Sequence, residues 1–333
     1  MQAFLDLNKD SRWMEAIKSK LDIVGESVPP GAHIVYLDYP VHGNIGDLLI
    51  MKGTEAYFKA KGIRVRKRFS YLNFRMGTRI PSSWIIVCHG GGNFGDLYPY
   101  YQKFRETLVQ RYPRHRIVIL PQTIYFRDPE EQRRSLKLFG RHADLHLYVR
   151  DEGSYRAAKS EIANVTLAPD MAHELYPLKA APPGSGKRLA LVRTDGEGNS
   201  WDLERSLVLS CDTRTDWPDL FGAWDRLLLG IVVRAHSLDR RCYNLLPIRR
   251  LWYFLSDLYV RRAVRLFDSY DHILTSRLHG HILSCLMGKP NRLMDNSYGK
   301  NSSYYRQWIY RLEEACDVGN SGNHAGDLHS QSS

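Results

Sequence analysis

The chain has 333 residues, 43% of them apolar, and a formal net charge of +11. That length suits two domains of ordinary size, and that apolar share excludes an intrinsically disordered protein. The absence of an apolar run of about 18 residues argues against a transmembrane helix. The positive charge favours anionic partners, among which nucleic acid, anionic lipid and phosphorylated substrates all qualify.

Residues 1–26 mix charges with spaced apolar side chains and read as an amphipathic helix rather than a signal peptide. Cys88, Cys211, Cys242, Cys285 and Cys316 are odd in number and have no paired spacing. They point to reduced thiols in a cytoplasmic protein, without a cysteine-based zinc site. A strand is expected at 33–39, then a loop through Gly43, Asn44, Gly46 and Asp47, then a helix closed by Gly62. Gly43 and Gly46 permit a sharp turn and close approach to a ligand. Asn44 and Asp47 suit either a helix cap or hydrogen bonds to hydroxyl groups.

Strands follow at 63–69 and 84–88, the second wholly apolar and therefore suited to burial on both faces of a parallel sheet. Three consecutive glycines, Gly90, Gly91 and Gly92, come next, followed by Asn93, Phe94, Gly95 and Asp96. Such a loop cradles a phosphate, lies beneath a sugar or forms a tight structural turn. It is not a Walker loop, because no Gly-Lys-Ser/Thr follows. The pattern G-N-x-G-D occurs both here and at 43–47, which suggests two like loops at one edge of one sheet.

A helix at 100–112, a strand at 116–120, a loop at 121–123, a helix at 129–140 and a strand at 145–149 continue the alternation. Arg150, Asp151 and Glu152 then open another helix, and Val165–Asp170 gives a short strand and an acidic loop. This order predicts a doubly wound parallel sheet, whose ligands bind beyond the carboxyl ends of the strands. Residues 177–188, rich in Pro and Gly, form the expected linker. A second α/β unit starts at Leu189. In it, residues 249–265 combine Trp252, Tyr253 and Phe254 with five arginines. They suit a packed helix with solvated arginines or a helix lying on an anionic membrane.

A strand at 272–274 leads into Arg277, Leu278, His279, Gly280 and His281, then a helix ending at Gly288 and Pro290. Arg277 offers a planar fork for phosphate or carboxylate. His279 and His281 can carry a proton near neutral pH. Arg277 with His279 at a strand's carboxyl edge can bind an anionic donor and protonate it. His281, deeper in the helix, reads as a core side chain or a second donor-side histidine. A strand at 291–295 and a helix around 302–316 complete the unit, and a polar tail at 317–333 is expected to be disordered.

Taken together, GNIGDLLI, HGGGNFGD, the Arg150–Ser154 group, Pro169-Asp170, SRLHGHILSCLMGKP and Asp295–Lys300 resemble the polysaccharide pyruvyl transferase family, in its motif order. The resemblance implies two Rossmann-like α/β domains with parallel sheets, similar to the GT-B glycosyltransferases, at 1–180 and 188–316. It implies transfer of pyruvate from phosphoenolpyruvate onto two hydroxyls of a sugar, as a ketal; that chemistry needs no redox cofactor, and no ligand cluster in the sequence calls for a metal. The implied acceptor is a lipid-linked bacterial polysaccharide unit, met at the inner face of the cytoplasmic membrane. Arg277 and His279 become the catalytic pair. His281, Lys300, Gly91 and Gly92 join Arg277 on the donor side. Asn44, Asp47, Asn93, Asp96, Arg150 and Glu152 fall near the acceptor. A nucleotide-sugar glycosyltransferase would share this fold, and a non-catalytic role in polysaccharide assembly would leave the glycine loops without purpose. Nucleic acid is disfavoured, because the positive residues are dispersed and no binding motif is present.

Overall fold

The computed structural model describes residues 12–180, 182, 184–194, 205–242, 247–295 and 300–310, with Lys300 and Tyr310 as backbone only. The expected tail and residues 1–11 lie outside these. The amphipathic N-terminus appears as helix α1 (Arg12–Ser19) and a 3-10 turn, burying Trp13, Met14, Ile17 and Leu21.

The first sheet contains β1 (His33–Leu37), β2 (Arg64–Phe69), β3 (Ile85–Cys88), β4 (Gly91–Phe94), β5 (Ile117–Ile124), β6 (Leu145–Val149) and β7 (Asn164–Leu167). Every pairing is parallel, in the order β2-β1-β3-β5-β6-β7, with β4 beside β5. The wholly apolar strands are the central ones, as burial on two faces requires. Helices α2 (Ile45–Ala60), α3 (Pro99–Arg111), α4 (Pro129–Gly140) and α5 (Glu152–Lys159) connect them. The chain moves from β1 outward to β2, then returns past β1 to β3, so the winding reverses between β1 and β3.

The second sheet repeats this plan in four parallel strands: β8 (Arg188–Leu191), β9 (Thr213–Thr215), β10 (His272–Thr275) and β11 (Asn291–Leu293), in the order β11-β10-β8-β9. Here the reversal falls between β8 and β10. The connecting helices are α6 (Arg205–Leu209), α7 (Ala223–Asp239), α8 (Ile248–Asp268) and α9 (Leu278–Leu286), and α10 (Lys300–Tyr305) follows β11. Helix α9 stops as its sequence requires, with Gly288 in the left-handed region at φ 63°.

Three expectations change. Residues 91–94 of the expected glycine loop form strand β4. Residues 121–123 are part of β5 rather than a loop, because β4 pairs with that extension. Pro121 is tolerated where the register against β6 shifts between Ile119 and Gln122. The two G-N-x-G-D stretches share a sheet edge but not a conformation. Gly46 lies in the first turn of α2, whereas Gly95 has φ 144° and carries a backbone approach that a side chain would block: a methyl there would sit 1.7 Å from Tyr125 O.

The second unit is strapped to the first. Helix α8 packs on α2, with Lys52 Nζ 2.8 Å from Asp257 Oδ1, and Trp252 Nε1 donates to Pro40 O at 2.7 Å. After α10 the chain returns to the first unit, where Trp308 Nε1 donates to Arg150 O at 2.7 Å. One hydrophobic cluster accordingly runs from Ile34 and Val87, through α2, to Leu189 and Ile273. Among the described residues no helix is long and apolar enough to cross a membrane.

Candidate active site

Loops at a reversal of winding splay apart and leave a crevice at the strands' carboxyl ends. Both crevices of this chain open into one cleft of about 380 Å³ between the sheets. The segments that follow β1 and β3 supply His42, Asn44, Asp47 at the start of α2, and Gly92 and Asn93 on β4. Those that follow β8 and β10 supply Arg193, Arg277 and, in the first turn of α9, His279. Arg150, Trp217 and Asn301 complete the walls.

Arg277 is the residue before α9, and its guanidinium is not an isolated cation. Its Nε and Nη2 donate to Asp216 Oδ1 and Oδ2 at 2.7 and 2.6 Å. Asp216 is fully buried and also accepts from Thr194 N at 3.0 Å and Trp217 N at 2.7 Å. Burial alone would raise the Asp216 carboxyl. The Arg277 hydrogen bonds and charge, with the two amides, outweigh it and hold the carboxyl below its ordinary value. The guanidinium is therefore fixed in plane and position, and the two-bond fork expected to hold a phosphate or carboxylate is taken up by Asp216 instead.

His279 stands in the first turn of the same helix. Its Nε2 donates to Asp170 Oδ2 at 3.2 Å. Its other nitrogen lies over Gly46, where a methyl group would come within 2.6 Å of Nδ1. Gly46 therefore serves to admit the imidazole, rather than to turn the chain. Asp170 is completely buried and also accepts from Arg150 Nη1 and, at 2.9 Å, from Ala172 N. Burial opposes its ionisation, but His279, Arg150 and the Ala172 amide together hold it well below the usual carboxylate range. Arg150, itself buried, donates from Nε to Thr123 Oγ1 at 2.9 Å.

The opposite wall is polar. Asn44 caps α2 by accepting from Gly46 N at 3.0 Å. Asp47 lies 3.6 Å from His42 Nε2, and a methyl on Gly91 would lie 3.4 Å from Asp47 Oδ1. Beneath this wall, Arg105 Nη1 donates to Asp38 Oδ2 at 2.9 Å, and Arg105 Nη2 donates to Asn93 O at 2.6 Å. Arg105 thereby ties β4 to the end of β1.

Of the residues expected from the sequence, Asn44, Asp47, Gly92, Asn93, Arg150, Arg277 and His279 meet in the cleft, and Gly91 lies behind Asp47. Three are placed elsewhere. His281 is fully buried, bonded through Nδ1 to Asn291 Oδ1, because two residues on a helix turn it roughly 200° from His279. Asp96 accepts from Arg127 N and Asp128 N at 2.7 and 3.0 Å and so holds the loop before α4. Glu152 points along α5 to Arg156 at 3.1 Å. The Lys300 side chain lies outside the described residues. His42, Arg193, Asp170 and Asp216 carry the site without having been assigned to it. Asp216 begins Asp-Trp-Pro-Asp, a helix-capping pattern that shows its cap but not its arginine. Among the described residues, no three His, Cys, Asp or Glu side chains gather as they would around a metal ion.

Two doubly wound units, with their reversals opposed across a charged cleft, define an α/β enzyme fold of the GT-B-like kind. The chain belongs to the polysaccharide pyruvyl transferase family, whose model matches residues 44–298. It is 46% identical over 298 residues to the Bacillus subtilis protein named "Putative pyruvyl transferase EpsO", covering 89% of this chain and 91% of that one. It is 26% identical over 296 residues to Pyruvyl transferase 1 of Schizosaccharomyces pombe, covering 83% and 70%. A solved Klebsiella pneumoniae protein of uncharacterised function shares the fold, with a TM-score of 0.58, 24% identity and coverage of 89% and 95%.

Proposed function

We propose that this transferase takes the pyruvyl group of phosphoenolpyruvate and closes it as a ketal on two hydroxyls of one sugar. The acceptor is a lipid-linked polysaccharide unit, met at the inner face of the cytoplasmic membrane. One observation carries the reading: Arg193 and the Asp216-held Arg277, from the second unit, share one cleft with Asn44, Asp47 and Asn93, from the first, and His279 lines the same cleft. The donor is a small dianion or trianion at neutral pH and suits the arginines. Sugar hydroxyls suit Asn44, Asp47 and Asn93.

In this scheme Asp170 keeps the Nε2 proton of His279 engaged, so the proton delivered is the one on Nδ1. It passes to the methylene carbon of phosphoenolpyruvate, which becomes the methyl group. The central carbon turns electrophilic, and a sugar hydroxyl adds to it, giving its proton to Asp47 or to His42 beside it. The carbon–oxygen bond to phosphate then breaks, with its electron pair leaving on phosphate. The second hydroxyl adds and loses its proton, which phosphate carries away. Arg277 and Arg193 balance the charge of the departing phosphate.

Calorimetric titration tests this directly. Phosphoenolpyruvate should bind the wild-type protein, and Arg277→Ala should weaken it about 10- to 100-fold, the worth of one or two charge-assisted hydrogen bonds. Binding of UDP-sugars in place of phosphoenolpyruvate would make the protein a glycosyltransferase and refute the proposal.

A further inference from the structure

Helices α7 and α8 bury one face each and leave the other without a protein partner among the described residues. On α7 the outward stripe holds Trp224, Leu227, Leu228, Ile231 and Leu238, with Trp224 78% exposed. On α8 it holds Leu251, Phe254 and Leu258, with Phe254 60% exposed. These spacings of three, four and seven place each set along one helical stripe. Isolated exposed apolar residues are ordinary, but eight on two packed helices form a patch of the kind that marks a binding surface.

Around the patch the charge is one-sided. Arg226, Arg234, Arg250, Arg261 and Arg265 are exposed on the same two helices. Their acidic residues are each engaged elsewhere: Asp225 by Arg262, Asp239 by Asn73, Asp257 by Lys52 and Asp268 near Lys289. Beyond the start of α8, Arg66, Lys67, Arg75 and Arg249 line a second concavity. An apolar ridge bordered by arginines is complementary to hydrocarbon beneath anionic headgroups. A second copy of the chain fits less well, because a two-fold contact would set arginines against arginines.

We propose that the outer face of α7 and α8 docks on an anionic lipid bilayer, with Trp224 and Phe254 entering the hydrocarbon boundary and the arginines meeting the headgroups. A groove of about 310 Å³ runs from the cleft, past Trp217 and Phe221, to Arg226 and Leu229 on α7. It would give a lipid-tethered acceptor a path from the bilayer to His279. That last step rests on the acceptor proposed above; the docking does not.

The test is flotation of the full chain with vesicles of phosphatidylcholine alone and of phosphatidylcholine with phosphatidylglycerol, at low and high salt. Binding should require phosphatidylglycerol, weaken with salt, and fall roughly tenfold or more in Trp224→Ser/Phe254→Ser. Both positions are exposed, so the variant's melting temperature and phosphoenolpyruvate affinity should match wild type. Absence of vesicle binding, equal binding to both vesicle types, unchanged binding by the variant, or a dimer that the variant abolishes would each overturn the proposal. Donor binding measured in parallel stands or falls separately.

Discussion

At the scale of single residues, the site depends on what surrounds His279 more than on the histidine alone. General acid catalysis is typically worth about 100- to 10,000-fold, and His279→Ala should lose turnover in that range while still binding donor. Gly46→Ala should do nearly the same without touching a titratable group, because its methyl would lie 2.6 Å from Nδ1 and displace the ring. Phosphate-release kinetics beside donor titration separate the outcomes. If Gly46→Ala turned over at the wild-type rate, the ring would not need its observed place. Arg277 and His279 were legible as a pair because a strand, a helix start and seven consecutive residues hold them together. The contacts of Asp216 with Arg277 and of Asp170 with His279 were not, since 61 and 109 residues separate the partners and only the folded sheets bring them near.

Among the elements, α2 is the hub: it touches the turn at Met171–Leu175, α8 and α9. It can lie so close to that turn because of Gly53, where a methyl would fall 2.0 Å from Met171 O. Gly53→Ala should therefore push α2 off the segment that Asp170 caps, costing about 1–3 kcal/mol or more as an overpacked contact. Turnover per folded molecule should fall too. Gly230→Ala in α7, with nothing within 4 Å, serves as the contrast and should be neutral or stabilising by up to about 1 kcal/mol. Thermal melts of the two variants decide the matter, and equal melting temperatures would count against the packing argument. The parallel strands were readable from their apolar runs, and the helix ends from Gly62 and Gly288. Strand β4 was not, because its four residues pair only where β5 extends past Pro121. Residues 249–265 of α8 read either as a packed helix or as one lying on an anionic membrane, but α7 gave no such reading, because it carries apolar residues on two faces and periodicity alone cannot assign which face the protein itself covers.

For the whole molecule, acid should be more damaging than the carboxylate pairs alone suggest. His89, His173 and His281 are buried, and burial pushes each down to about 4. His236 is lowered by burial as well. An unfolded histidine titrates near 6.5, so between about pH 6.5 and 4 the unfolded chain takes up protons that the folded chain refuses, and stability falls as pH falls. Asp38 opposes this, since burial against the pull of Arg105 pushes it up to about 7, and Glu174 is raised in the same sense, chiefly by burial. The three strongly lowered histidines outnumber the strongly raised carboxyl, so the net effect is a loss of stability that sets in below neutral pH and grows toward about pH 5. Urea midpoints measured at neutral pH and near pH 5 should differ accordingly, and a flat profile would contradict the burial of the histidines. The repeated strand order has a separate consequence. Each half of the chain brings its own crevice, so on the proposed assignment acceptor choice and donor choice are inherited on different stretches of sequence. Drift in the loops after β1 and β3 could then diversify the glycans such enzymes decorate, while the machinery handling the shared donor stays untouched.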